Sequence, residues 1–88
     1  MSNNSLVTGQ NALSTSAELV IAESPNRQFA EVKNTDASIS VYLGKDNAVT
    51  SSNGHLLKAG EAYVFEGYTG PIWAIAASGT PTVTFMYW

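Results

Sequence analysis

The chain has 88 residues, 44% of them hydrophobic and only 12% charged, with a formal net charge of −3 and no cysteine. Its basic residues, Arg27, Lys33, Lys45 and Lys58, are too few and too scattered to track a phosphate backbone, which argues against nucleic-acid binding. Without cysteine there is neither a disulfide framework nor a thiolate metal site, and no apolar run approaches the roughly 18–20 residues of a membrane-spanning helix.

A chain this short forms one domain and buries only roughly 60–65% of its unfolded surface. Association with other subunits is the remaining way to hide more apolar area, and a charged fraction well below the usual about 25% makes such a surface easy to cover with protein.

Met1 to Gln10 is rich in Ser and Asn around a short Leu6-Val7 pair. Residues 1–12 are expected to form a flexible N-terminal arm that orders against a neighbouring subunit, with a single domain over residues 13–88. Met1 to Asn4 lacks a basic, apolar leader pattern, so no secretion signal is expected.

Leu13, Thr15, Ala17, Leu19 and Ile21 share one parity, which predicts a first strand or a bulged pair of strands ending at Ser24-Pro25-Asn26. Arg27 to Asn34 reads as the next strand, with Ala30 and Val32 on one face, and Asn34-Thr35-Asp36 as the turn after it. Ile39, Val41 and Leu43 then alternate with Ser38, Ser40 and Tyr42 as in a half-buried strand. Asn53-Gly54 predicts a tight hairpin turn, because both residues tolerate positive φ. Ala59-Gly60-Glu61 predicts a second reversal between Leu56-Leu57 and Tyr63-Val64-Phe65, and Gly67 with Gly70-Pro71 a third before Ile72-Trp73-Ala74-Ile75. Thr82 to Trp88 alternates with a β-branched and aromatic bias and is the last strand. About seven strands with a turn every eight to twelve residues, and no helical periodicity, predict an all-β fold: a small antiparallel sandwich or flattened barrel, jelly-roll-like or immunoglobulin-like.

Little here carries chemistry. His55 has no His, Asp or Glu partner at ligand spacing and reads as a solvated loop side chain. The seven acids are spread over strand faces and turns, and Lys45-Asp46-Asn47 lacks the spaced acids and closing Glu of a calcium loop. No nucleophile elbow accompanies the many serines. An enzyme is therefore not expected, nor a metal, cofactor or small-molecule substrate. The aromatics matter more. Most are expected to fill the core, but Tyr42 has the parity opposite to its apolar neighbours and Tyr68 sits in a turn between glycines, so both are candidates for exposure. Trp88 is expected either in the core or in a contact between subunits. The interface candidates are thus Leu6, Val7, Tyr42, Tyr68 and Trp88.

From Ser14 to Trp88 the chain resembles small head decoration, or cement, proteins of tailed bacteriophages. The resemblance rests on the Pro25-Asn26-Arg27 turn, Asn34, Val41-Tyr42-Leu43-Gly44, Val49 to Gly54, Leu57 to Glu61, and Gly70 through Gly79. It implies a β-sandwich, often trimeric, made in the host cytoplasm and seated on the capsid surface, where it clamps neighbouring major capsid protein subunits. It transfers no catalytic residue. Two alternatives stay open: a tail, neck or fibre-associated structural protein, and a carbohydrate-binding module that stacks sugars on Tyr68, Tyr42 or Trp73.

Overall fold

The computed structural model describes residues 6–88. Eight strands follow one another without a helix: β1 (Val7–Ala12), β2 (Glu18–Ile21), β3 (Phe29–Asn34), β4 (Val41–Gly44), β5 (His55–Leu57), β6 (Ala62–Glu66), β7 (Ile72–Ala76) and β8 (Thr82–Tyr87). They form two four-stranded sheets, β1-β8-β3-β6 (sheet 1) and β2-β7-β4-β5 (sheet 2). Every pair is antiparallel. Each connection carries the chain from one sheet to the other except β4 to β5, which stays in sheet 2. That alternation is the jelly roll, so of the two sandwich types expected from the sequence the immunoglobulin-like one is not adopted.

The core lies between the sheets. Ala30, Val32 and Val83 of sheet 1 face Val41, Leu57, Ile72 and Ala74 of sheet 2, all buried, with Leu13 and Ile21 alongside them. The period-2 pattern of these strands accounts for the arrangement, since one parity of each strand points inward.

Three expectations from the sequence are corrected or refined. The arm expected over residues 1–12 is, from Val7 to Ala12, an edge strand paired at all six positions with β8, from Val7 opposite Tyr87 to Ala12 opposite Thr82; residues 1–5 lie outside the described residues. Consequently the first strand does not run through Leu13. There the chain leaves sheet 1, and the Leu13 amide donates to the Pro81 carbonyl oxygen at 2.8 Å. β2, where the bulge was expected, does shift register between Leu19 and Ile21.

Second, the reversal expected at Ala59-Gly60-Glu61 is present, but the two strands it joins lie in different sheets. β5 pairs with β4 and β6 with β3, so the Gly60 turn crosses between sheets. Gly60 has φ +83°, which explains the glycine at that reversal. Third, Asn53-Gly54 is not a positive-φ turn. Glycine is required at position 54 by space: a Cβ there would lie 2.7 Å from the Tyr42 Cβ and 3.0 Å from the Thr50 carbonyl oxygen.

Candidate interaction surfaces

Sheet 2 has an apolar outer face. Opposite the inward residues Val41, Leu43, Ile72 and Ala74, its strands present Leu19, Tyr42, Leu56, Trp73 and Ile75 outward. The register aligns them: Leu56 is opposite Tyr42, Tyr42 opposite Ile75, and Leu19 opposite Trp73. Leu19 and Leu56 are 42% and 41% exposed, with the other three half-buried between them. A sheet with one face in the core normally turns polar residues to water on the other. The outer face of sheet 1 is mixed: Thr8, Gln10, Thr84, Glu31 and Lys33 line a groove together with Met86, and Val64, opposite Glu31, is 42% exposed.

The expected interface residues do not gather in one place. Tyr42 belongs to the apolar outer face, in agreement with its parity. Leu6 and Val7 are exposed at the β1 edge of sheet 1. Trp88 is outside the core: its ring stacks on Phe29 with centroids 4.2 Å apart and planes 11° from parallel, while the two residues exchange backbone hydrogen bonds of 3.1 Å. Tyr68 projects from the turn between β6 and β7, and its hydroxyl donates to the Pro71 carbonyl oxygen at 2.8 Å.

That turn is held by a buried cation. Arg27 is 4% exposed, and its guanidinium donates to the carbonyl oxygens of Ala22 at 2.8 Å, Tyr68 at 3.1 Å and Gly70. Its Cζ also lies 6.0 Å from the Tyr87 ring centroid. A planar fork with several fixed donors suits this task, because three carbonyls in different directions can share one charge.

A second surface was not legible in the sequence. His55 is not in a loop but begins β5, and its ring lies 5.0 Å from that of Tyr63 on β6. Tyr63 meets Phe65 edge-on at 4.9 Å, and Phe65 lies 5.7 Å from Tyr68. The four rings line a cleft of about 290 Å³ at the flank where β5 and β6 end their sheets. The signal present in the sequence was parity alone: Tyr63 and Phe65 alternate like core residues, and nothing local shows that their strand is an edge.

Among the described residues, no group of three or more His, Cys, Asp or Glu side chains is placed to hold a metal ion. The one ion pair among the described residues, Lys45 with Asp46 at 3.9 Å, is solvent-exposed and contributes little. Asp36 has its carboxyl held below the ordinary aspartate value of 3.8, because the Ser38 and Ile39 amides donate to it at 2.9 and 2.7 Å.

No protein-family model matches the chain, and no curated protein matches it in sequence. Its fold does have counterparts among solved structures. The stem and receptor-binding domain of the spike protein P1 of bacteriophage PM2 superimposes with a TM-score of 0.66 at 16% identity, covering 90% of this chain and 32% of that one. The chain therefore spans about a third of that spike structure. A structure of Bacillus endospore appendages, described as disulfide-linked pili, gives a TM-score of 0.50 at 9% identity, covering 98% of this chain and 90% of that one. At these identities the likeness establishes the fold. The 88 residues contain no cysteine, so the disulfide links of those pili have no counterpart in them.

Proposed function

We propose that this jelly roll is a non-enzymatic structural component of a virion or surface appendage, held to neighbouring protein through the apolar outer face of sheet 2. The alignment of Leu19, Trp73, Ile75, Tyr42 and Leu56 carries the reading. A standard protein interface takes about 800 Å² from each partner. That is about a sixth of this domain's 4859 Å² surface, so the face of sheet 2 forms the apolar centre of such a contact and the loops around it complete the area. The low charge of the chain keeps the desolvation cost of such a contact small. The likeness to a phage spike domain and to an appendage subunit supports the same class of role.

The finer reading is a capsid decoration protein: a homotrimer on the capsid surface that binds the assembled lattice of major capsid protein more tightly than free subunits and so stabilises the shell. The spike likeness favours one further reading, a tail, neck or fibre-associated component. Light scattering on the purified chain, followed by co-sedimentation with empty capsids and gold labelling of whole particles, tests them. A trimer that labels the head supports decoration, and label confined to the tail or spikes supports the second reading. A monomer that sediments with no particle overturns both.

A further inference from the structure

The two flanks of the sandwich differ. At the flank formed by β1 and β2, the Asn11 side-chain amide donates to the Leu19 carbonyl oxygen at 3.0 Å and ties the sheets together. At the opposite flank the space between the sheets opens outward as the aromatic cleft. Tyr63 and Phe65 lie opposite Val32 and Ala30, both fully buried, so their rings continue the core; yet Tyr63 is 42% exposed because no strand follows β6.

From this geometry we infer that the cleft binds a pyranose ring of a glycan. The rings of Tyr63, Phe65 and Tyr68 offer π faces, whose negative quadrupole attracts the weakly positive C–H groups of a sugar ring. Lys45 and His55 bring nitrogen donors to the lining, and among the described residues no carboxylate lines it. Two donors beside an aromatic floor match a ligand with apolar ring faces and hydroxyl oxygens around its edge. At about 290 Å³ the cleft sits at the small end of ligand sites and accommodates one ring, with its open side leaving room for the rest of a glycan chain. It is too small for a stable protein contact, for which the outer face of sheet 2 is the suited surface.

The cleft is also pre-organised. The Tyr68 hydroxyl is tied to Pro71 and its backbone carbonyl to Arg27, so the ring that closes the cleft is anchored at both ends. Less ordering is then needed when a ligand arrives.

The test is titration of the ¹⁵N-labelled full chain with methyl glycosides of glucose, galactose, N-acetylglucosamine and glucuronic acid, followed by amide shifts. At least one glycoside is expected to shift the amides around Lys45, His55, Tyr63 and Tyr68, with a Kd of about 1 mM. His55→Ala and Tyr63→Ala are each expected to weaken binding about fivefold or more, with folding checked by the dispersion of the same spectra. Leu56→Ala, on the outer face of sheet 2, is expected to leave the affinity unchanged. The inference is overturned if no glycoside shifts the cleft at about 20 mM, if shifts fall elsewhere, or if a selected peptide fills the cleft and no glycoside displaces it. None of these outcomes depends on particle attachment, so this site and the docking face stand or fall separately.

Discussion

The side-chain amide of Asn34, at the end of β3 in sheet 1, donates to the carbonyl oxygen of Leu57, at the end of β5 in sheet 2, at 3.0 Å. The same nitrogen donates to the Ile39 carbonyl oxygen at 2.8 Å, and Oδ1 accepts from the Asp36 amide at 3.0 Å. The Asn34 backbone adds bonds of 2.8 Å with Glu61 and Gly60. One fully buried polar side chain thus joins the chain reversal after β3 to the crossing from β5 to β6, and no water is needed to satisfy it.

Asn34→Ala removes the donors but leaves two carbonyls in the interior. Buried acceptors without partners cost about 1–3 kcal/mol each, so a loss of about 3 kcal/mol is expected, or roughly 15 °C in Tm for a domain of this size. Thermal unfolding followed by circular dichroism checks it. A fall of under about 4 °C would show that the crossing does not depend on this amide.

Arg27 is the second buried polar anchor. Arg27→Met keeps the bulk but leaves the carbonyls of Ala22, Tyr68 and Gly70 without their donor, for an expected loss of about 3 kcal/mol. Arg27→Lys restores the charge without the fork and is expected to recover only part of the loss. Chemical denaturation measures both. Amide exchange should quicken first in the turn between β6 and β7, where two of the three bonds are made.

How much of this was written in the sequence depends on whether neighbours or distant strands decide the matter. The inward parity of Val41 and Leu43, of Ile72 and Ala74, and of Val83 follows from period 2 and was legible. β1 was not: Val-Thr-Gly-Gln-Asn-Ala has no apolar alternation and becomes a strand because β8 supplies a ladder of partners. The turn around Gly60 reads the same whether the chain returns to its own sheet or crosses to the other, so local chemistry could not reveal the crossing. For the same reason Tyr63 and Phe65 looked like core, and the cleft they form with His55 stayed hidden. Tyr42 was found because its face is fixed by parity, which a short stretch of sequence does contain.

The Asp36 carboxylate gives a pH signature. The Ser38 and Ile39 amides favour its charged form, so its folded-state pKa lies below the ordinary value of 3.8. A depressed acid contributes stability above the unfolded pKa and loses that contribution as pH falls through the folded one. The urea midpoint of the protein is therefore expected to drop between about pH 5 and pH 2 more steeply than that of Asp36→Asn, whose side chain does not titrate. Parallel slopes for the two proteins would remove Asp36 from the acid sensitivity of the fold.

Association through sheet 2 predicts a separation of stability from assembly. Leu19 and Leu56 are exposed at the two edges of the apolar face, so Leu19→Lys and Leu56→Lys bury no charge in the isolated domain. Each is expected to change folding stability by less than about 0.5 kcal/mol, the usual range for surface substitutions. In an assembly the same lysines would lie against apolar side chains without a carboxylate, and a charge desolvated without a partner is strongly unfavourable. The double variant is therefore expected to melt like the parent in its monomeric form while losing self-association in light scattering and binding to particles. If it still assembles, the contact lies elsewhere, and the exposed β1 edge around Leu6 and Val7 becomes the surface to substitute next.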